Sequence, residues 1–207
     1  MFGAEKSTLD RGLDAFQHKR WRSARRLLEE AESEGERAIG AYHLGILYWR
    51  GLGGERDHRA AVDYFARAAA NGHAAAQAAY GIALKTGTGV PQNLDAARNE
   101  LRAAAGGGNP DAMTALAEIS DDDDARRWLA RASEQGHAPA MRALAEMDIA
   151  DDPIEALSLL YAHAALTGSH ASSKRATALA REMTAREIDE AQKNGRSLVK
   201  QVRKGRG

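Results

Sequence analysis

Ala61-Val62-Asp63-Tyr64-Phe65-Ala66-Arg67-Ala68-Ala69-Ala70-Asn71-Gly72-His73-Ala74 decides the fold, because its pattern returns along most of the chain. Aligned on the closing glycine, five copies share an Ala-x-x-x-Gly step: Ala31/Gly35, Ala68/Gly72, Ala104/Gly108, Ala132/Gly136 and Ala164/Gly168. Seven residues before each glycine stands a large apolar residue, namely Leu28, Phe65, Leu101, Leu129 and Tyr161; the place one earlier holds Leu27, Tyr64, Glu100, Trp128 and Leu160. A bulky residue three before a small one, with glycine four further on, has the 3.6-residue period of a helix that ends at a glycine cap. The glycines lie 37, 36, 28 and 32 residues apart, a range that marks helical solenoids. From Ala24, Ala61, Ala97 and Ala125 to their glycines the distance is always 11, so the shrinkage falls in the loop between the two helices of a unit.

Composition bounds what such an array can do. At 207 residues and 43% hydrophobic content the chain can bury a sizeable core, as one elongated domain. Lys+Arg and Asp+Glu both number 29, so no overall field favours nucleic acid or an anionic membrane, and neither is an expected partner. The absence of cysteine excludes disulfides, thiolate zinc sites and a cysteine nucleophile. Residues 1–10 have no apolar stretch of signal-peptide length and no run approaches a membrane span, which reads as a cytoplasmic protein, or a periplasmic or secreted one whose leader is not included.

Taken in order, the units are about 7–35, 36–72, 73–108, 109–136 and 137–168, followed by a closing helix pair at 170–199 and a basic flexible tail at 200–207. Ser7 is the expected N-cap of the first helix. Asp57, Asn93, Asp121 and Asp152 precede the second helices, where a side-chain oxygen can accept an orphan N–H. Asn109-Pro110 and Asp152-Pro153 are helix starts, and Thr184-Ala185-Arg186-Glu187 is a capping box opening a helix to about Val202. The basic segment from His18 to Arg26, with Trp21 inside it, could be a nucleic-acid patch. Arg25 precedes Glu29 by four and Arg26 precedes Glu30 by four, so pairing along a solvated face is the reading preferred here.

Leu44-Gly45-x-x-Tyr48-x-x-Gly51-x-Gly53, the loop Gly87-Thr88-Gly89-Val90-Pro91-Gln92-Asn93, and the steps Gly72-His73-Ala74 and Gly136-His137-Ala138 resemble the Sel-1-like repeat family, a relative of the tetratricopeptide repeats. The resemblance spans roughly residues 10–170 and implies an all-α solenoid of antiparallel helix pairs forming a superhelix. Two units depart from it: the glycine loop is missing between Ala117 and Ala125 and between Ala145 and Leu157. The resemblance also implies adaptor, regulatory or host-interaction roles, often bacterial. Some members are linked to cell-wall-like ligands and β-lactam hydrolysis, but those are cysteine-rich and this chain has no visible nucleophile, so a hydrolytic or cell-wall-binding enzyme is the alternative reading.

The residues offer little to catalysis. Gly51-Leu52-Gly53 and Gly87-Thr88-Gly89 follow no strand and precede no Gly-Lys-Ser/Thr, so neither reads as a phosphate cradle. Asp121-Asp122-Asp123-Asp124 fails as a calcium loop, because the count places Ala125 at a ligand position and Arg126 at the glycine; the run serves a helix start instead. No His-Glu-x-x-His or Gly-x-Ser-x-Gly occurs, and His73 and His137 stand in a repeat column as packing or capping residues. No cofactor, metal or catalytic residue is expected.

What remains is a binding surface lined by the first helix of each pair. Around Gly45, Gly81, Ala117 and Ala145, the column three before reads Tyr42, Ala78, Thr114, Arg142. The column one after reads Ile46, Ile82, Glu118, Glu146, and the column four after reads Trp49, Lys85, Asp121, Ile149. Trp21, Tyr64 and Trp128 fill places where the repeat calls for a core aromatic, whereas Trp49 does not. Tyr42 and Trp49 are therefore the expected anchors, with Ile46, Lys85, Glu118, Arg142 and Glu146 along the same concave face. The expectation is a non-enzymatic, monomeric scaffold that holds a protein or peptide in this groove.

Overall fold

The computed structural model describes residues 6–34 and 37–205. Among these residues there are twelve α-helices and no strand. They are α1 (Thr8–Gln17), α2 (Trp21–Glu34), α3 (Arg37–Arg50), α4 (His58–Ala70), α5 (Ala74–Thr86), α6 (Leu94–Gly106), α7 (Pro110–Ala117), α8 (Asp122–Glu134), α9 (Ala138–Asp148), α10 (Pro153–Thr167), α11 (His170–Ala180) and α12 (Ala185–Gly205). Consecutive helices pack on one another as antiparallel neighbours, α1 with α2, α3 with α4, α5 with α6, α8 with α9. The fold is an all-α solenoid of helix pairs. It divides into two compact units, Met1–Ala112 and Met113–Gly207, where the repeat pattern alone reads as one array. The division falls inside α7, the shortest helix.

The closing column works as a backbone device. Gly72, Gly108 and Gly136 sit at φ 78°, 88° and 77°. The N–H that follows each glycine donates to the carbonyl of the repeat alanine: His73 to Ala68 at 3.1 Å, Asn109 to Ala104 at 3.1 Å and His137 to Ala132 at 3.1 Å. Each glycine N–H donates one residue further along, as in Gly72 to Ala69 at 2.8 Å, completing a Schellman end that only glycine adopts without strain. The side chains of those alanines are fully buried. Gly35 lies outside the described residues. Gly168 differs: its N–H reaches Ala164 O at 2.8 Å, and Ser169 at once caps α11.

The N-caps form where a short polar side chain precedes a helical period. Asp57, Asn93, Asp121 and Asp152 accept from the N–H three residues on at 2.9–3.0 Å. Ser7 and Asn109 do the same. Thr184 and Glu187 bond reciprocally as a capping box, and the helix they open runs to Gly205, past the expected end near Val202. Lys200, Arg203 and Lys204 are thus helical.

Leu28, Phe65, Leu101 and Leu129 are buried as the repeat demands, each at 4% exposure or less. Leu28, Phe65 and Leu101 press against Gly12, Gly45 and Gly81 of the first helices, where an added Cβ would overlap their side chains. In the fifth copy the burial moves to Leu160, and Tyr161 is only half-buried, because α10 is covered by α9, α11 and α12 and buries more than one stripe. The expected core aromatics are also half-buried. Trp21 meets Phe16 edge-on at 5.4 Å, Tyr64 lies between Tyr48 and the Arg67 guanidinium, and Trp128 carries Arg131. A ring too large for a small helix-pair core covers its edge and takes a cation on its outer face.

Candidate functional site

Three of the expected site residues, the anchors Tyr42 and Trp49 among them, meet. Tyr42, Ile46 and Trp49 of α3 face Ala79 and Ile82 of α5 across a cavity of about 220 Å³, with Phe65 of α4 beneath and Arg50 at one end. Two turns of helix separate Tyr42 from Trp49, so both rings project from one face. Each is held by a histidine. The Trp49 indole stacks on His58 with centroids 4.5 Å apart and planes 13° from parallel, and Tyr42 stacks on His73 at 4.4 Å. Both rings also lean toward Phe65, at 6.1 and 6.2 Å. These contacts fix two large side chains in advance of any ligand.

The electrostatics keep the Tyr42 and His73 rings uncharged. Burial pushes the Tyr42 phenol above its ordinary value, with the charge of Arg50 pulling the other way, so it stays a hydrogen-bond donor at neutral pH. Burial pushes His73 below the ordinary imidazole value, and neighbouring His43 adds to it. A neutral ring agrees with the geometry, because His73 Nδ1 accepts the Ala76 N–H at 3.2 Å and caps α5. His137 occupies the matching place before α9 without a side-chain cap bond.

Glu118 and Glu146 form a second group, in the unit from Met113 on. Their exposed carboxylates rim a cavity of about 350 Å³ whose apolar lining includes Ala125, Leu129 and Met147. Lys85 and Arg142 line neither cavity. Lys85 is in the last turn of α5, where Gln92 Nε2 donates to its carbonyl at 2.8 Å. Arg142 is exposed on α9, and its charge helps depress His163, though burial contributes more. Phe65, Ala79, Arg50 and Ile82 were not among the expected site residues. Ile82 had a signal, since it shares the Ile46 column; Phe65 had none, since its place in the repeat marks it as core.

Other groups with chemical potential are tied down. His163 Nδ1 and Ser172 Oγ are 2.8 Å apart, but Ser172 is 4% exposed and the charge that acts on the ring is the Arg142 cation, where a catalytic imidazole has an orienting carboxylate. In the basic segment, Arg20 pairs with Asp14 and Arg26 with Glu30. Arg25 bonds Glu29 at 3.1 Å and lies 3.7 Å from the centre of the Tyr48 ring. Among the described residues, no group of three His, Asp or Glu side chains converges to hold a metal, and no helix is long and apolar enough to cross a membrane.

Comparison with known proteins agrees with the pattern and the fold. The Sel1 repeat family model matches residues 38–73, 74–109 and 110–137, so each match covers one helix pair from α3 to α8. The structure is similar to that of a Sel1 repeat protein from Oxalobacter formigenes, with a TM-score of 0.74 and 22% identity over 92% of this chain and 84% of the other. It is also similar to c5321, a protective antigen present in uropathogenic Escherichia coli strains that displays an SLR fold, with a TM-score of 0.55 and 17% identity over 87% of this chain and 49% of the other. At these identities the likeness is one of fold. No protein of curated function matches the sequence. The chain carries three Sel1 repeats over residues 38–137.

Proposed function

We propose that this chain is a non-enzymatic scaffold that holds a protein or peptide against its first helices, with Tyr42 and Trp49 as the anchors. Sel1 repeat proteins are in general protein-interaction scaffolds, which gives the class. One observation carries the finer reading: two aromatic rings on one helix face, each stacked on a histidine, flank a cavity with Ile46, Ile82 and Phe65 around it. Pre-fixed aromatics lose little side-chain entropy on binding, which is why Trp and Tyr dominate interface hot spots. The cavity accepts an apolar side chain of the partner. Glu118 and Glu146 supply acidity on the second unit, and Lys85 and Arg142 add charge outside both cavities.

The test is affinity capture with the intact chain, followed by titration of the captured partner against Trp49→Ala and Tyr42→Ala. Each variant is expected to lose at least about 2 kcal/mol of binding, roughly thirtyfold in affinity. Helical content by circular dichroism should be unchanged. A folded Trp49→Ala variant that binds the partner as tightly as the parent would overturn the assignment. An Ile46→Asp variant gives a second reading, because it puts an unpaired charge into the cavity without removing a stacked ring.

A further inference from the structure

We propose that the groove between α10 and α12 is a second docking site, whose occupant is an acidic amphipathic segment of a partner protein. This goes beyond the Tyr42 and Trp49 reading, since it concerns another unit and other chemistry.

The groove follows from how α12 sits on α10. α12 buries Ala191, Gly195 and Val202, and a Cβ at Gly195 would lie 2.8 Å from Ser158 O, so the two helices come close there. Beside that contact a cavity of about 560 Å³ opens, larger than either cavity described above, with Tyr161, Ala165 and Val199 as its apolar lining. Along its α12 wall stand Arg196, Lys200 and Arg203, all exposed and spaced i, i+4, i+7 over about 10 Å of one helix face. No carboxylate lines the groove, and none of the three cations makes an ion pair with a described residue.

The charge pattern of α12 is not that of an ordinary solvated helix. Its acids, Glu187, Asp189 and Glu190, fall in the first six residues, and from Lys193 onward every charged residue is basic. Interaction with the helix dipole accounts for cations in the last turn, hence for Arg203 and Lys204, but not for Arg196 two turns earlier. In a chain with 29 charges of each sign, this groove concentrates three cations around an apolar slot.

That combination selects the occupant. Arginine pairs bidentately with carboxylates, and the slot removes an apolar side chain from water. A partner segment with Asp or Glu repeating every three to four residues beside one or two large apolar residues satisfies both. A bilayer surface cannot enter a concave slot, and a nucleic acid would find one ring, Tyr161, and an otherwise aliphatic lining.

The experiment pans a random peptide library displayed on phage against the intact chain and against an Arg196→Glu, Lys200→Glu, Arg203→Glu variant. The three positions are exposed, so the fold should survive, as circular dichroism would verify. The expected result is enrichment of peptides with acidic residues at helical spacing beside an apolar anchor. Synthetic copies should bind at least roughly tenfold more weakly to the variant, and more weakly to both as salt is raised. Val199→Asp should weaken them too, whereas Trp49→Ala should not. Peptides lost with Trp49→Ala alone belong to the other site, so the two readings fail separately. The proposal is overturned if no acidic peptides are enriched, or if they bind the charge-reversed variant equally. It is also overturned if a single-stranded oligonucleotide or phosphatidylserine vesicles bind this stripe more tightly than the selected peptides do.

Discussion

Residues 38–108 and residues 110–168 build their helices to one pattern and join them by different means. In the first region, each pair is connected by a long glycine loop that docks on the pair before it. A Cβ at Gly53 would lie 2.5 Å from Trp21 O, at the start of α2, and one at Gly89 would overlap the carbonyl of His58, at the start of α4. In the second region the loops are shorter and lack these glycines. There the start of α8 is reached by a side chain, as Arg126 pairs with buried Asp148 at the end of α9 and with Asp151 in the loop after it. Arg126 stands in the column that holds Arg25 in the first unit, and Arg25 Nη1 reaches Glu55 O of the glycine loop at 3.3 Å. The junction is conserved in position within the chain while its chemistry changes from backbone packing to an ion pair. What a solenoid requires between units is a fixed attachment at the helix start, and either close glycine packing or a paired arginine supplies it.

The largest effect should come from Gly89→Ala. It combines a left-handed backbone, φ 74°, with a Cβ that meets a carbonyl unable to rotate away, and should cost about 3–4 kcal/mol in urea unfolding. Gly72→Ala is the matched control, at φ 78° with nothing within 4 Å of the added Cβ, and should cost about 1 kcal/mol for the backbone alone. Equal losses would mean that docking of the loop adds nothing.

Arg126→Ala should follow, at about 2–3 kcal/mol, because Asp148 is 4% exposed and would be left charged without its partner. The loss is moderated by the partial exposure of the guanidinium. A double variant, Arg126→Met with Asp148→Leu, should regain most of it. If the double variant is as unstable as the single one, the second region needs charge at this junction rather than filled volume.

The smallest effect is on pH dependence. Burial holds His73 in the first region and His163 in the second below the ordinary imidazole value of 6.5, so both bind a proton less readily when folded than when unfolded. On acidification the unfolded chain takes protons first. Stability therefore falls as pH drops through 6.5 toward the lower folded values, and is fully present above 6.5. His73→Asn keeps a capping oxygen for the Ala76 N–H and removes the titration. Its melting temperature should drop less between pH 7.5 and pH 5.5 than that of the parent chain. A drop as large as the parent's would assign the sensitivity elsewhere.

What could be read from residues alone is what neighbours in the chain settle between themselves. Glycine at a left-handed helix end, aspartate or asparagine three before a free N–H and the capping box at Thr184 are matters of a few residues, and all lie where the pattern places them. So do the buried alanine and bulky columns through the fourth copy, since the helical period alone decides which residues share a face. The period cannot say which faces share a gap. That Phe65 closes the cavity beside Trp49, that Arg126 reaches Asp148, and that α12 packs on α10 with a basic groove at its side all depend on how separate helices pack on one another. Only the packed tertiary structure decided them, because the distance between two helices is set by the side chains of both at once.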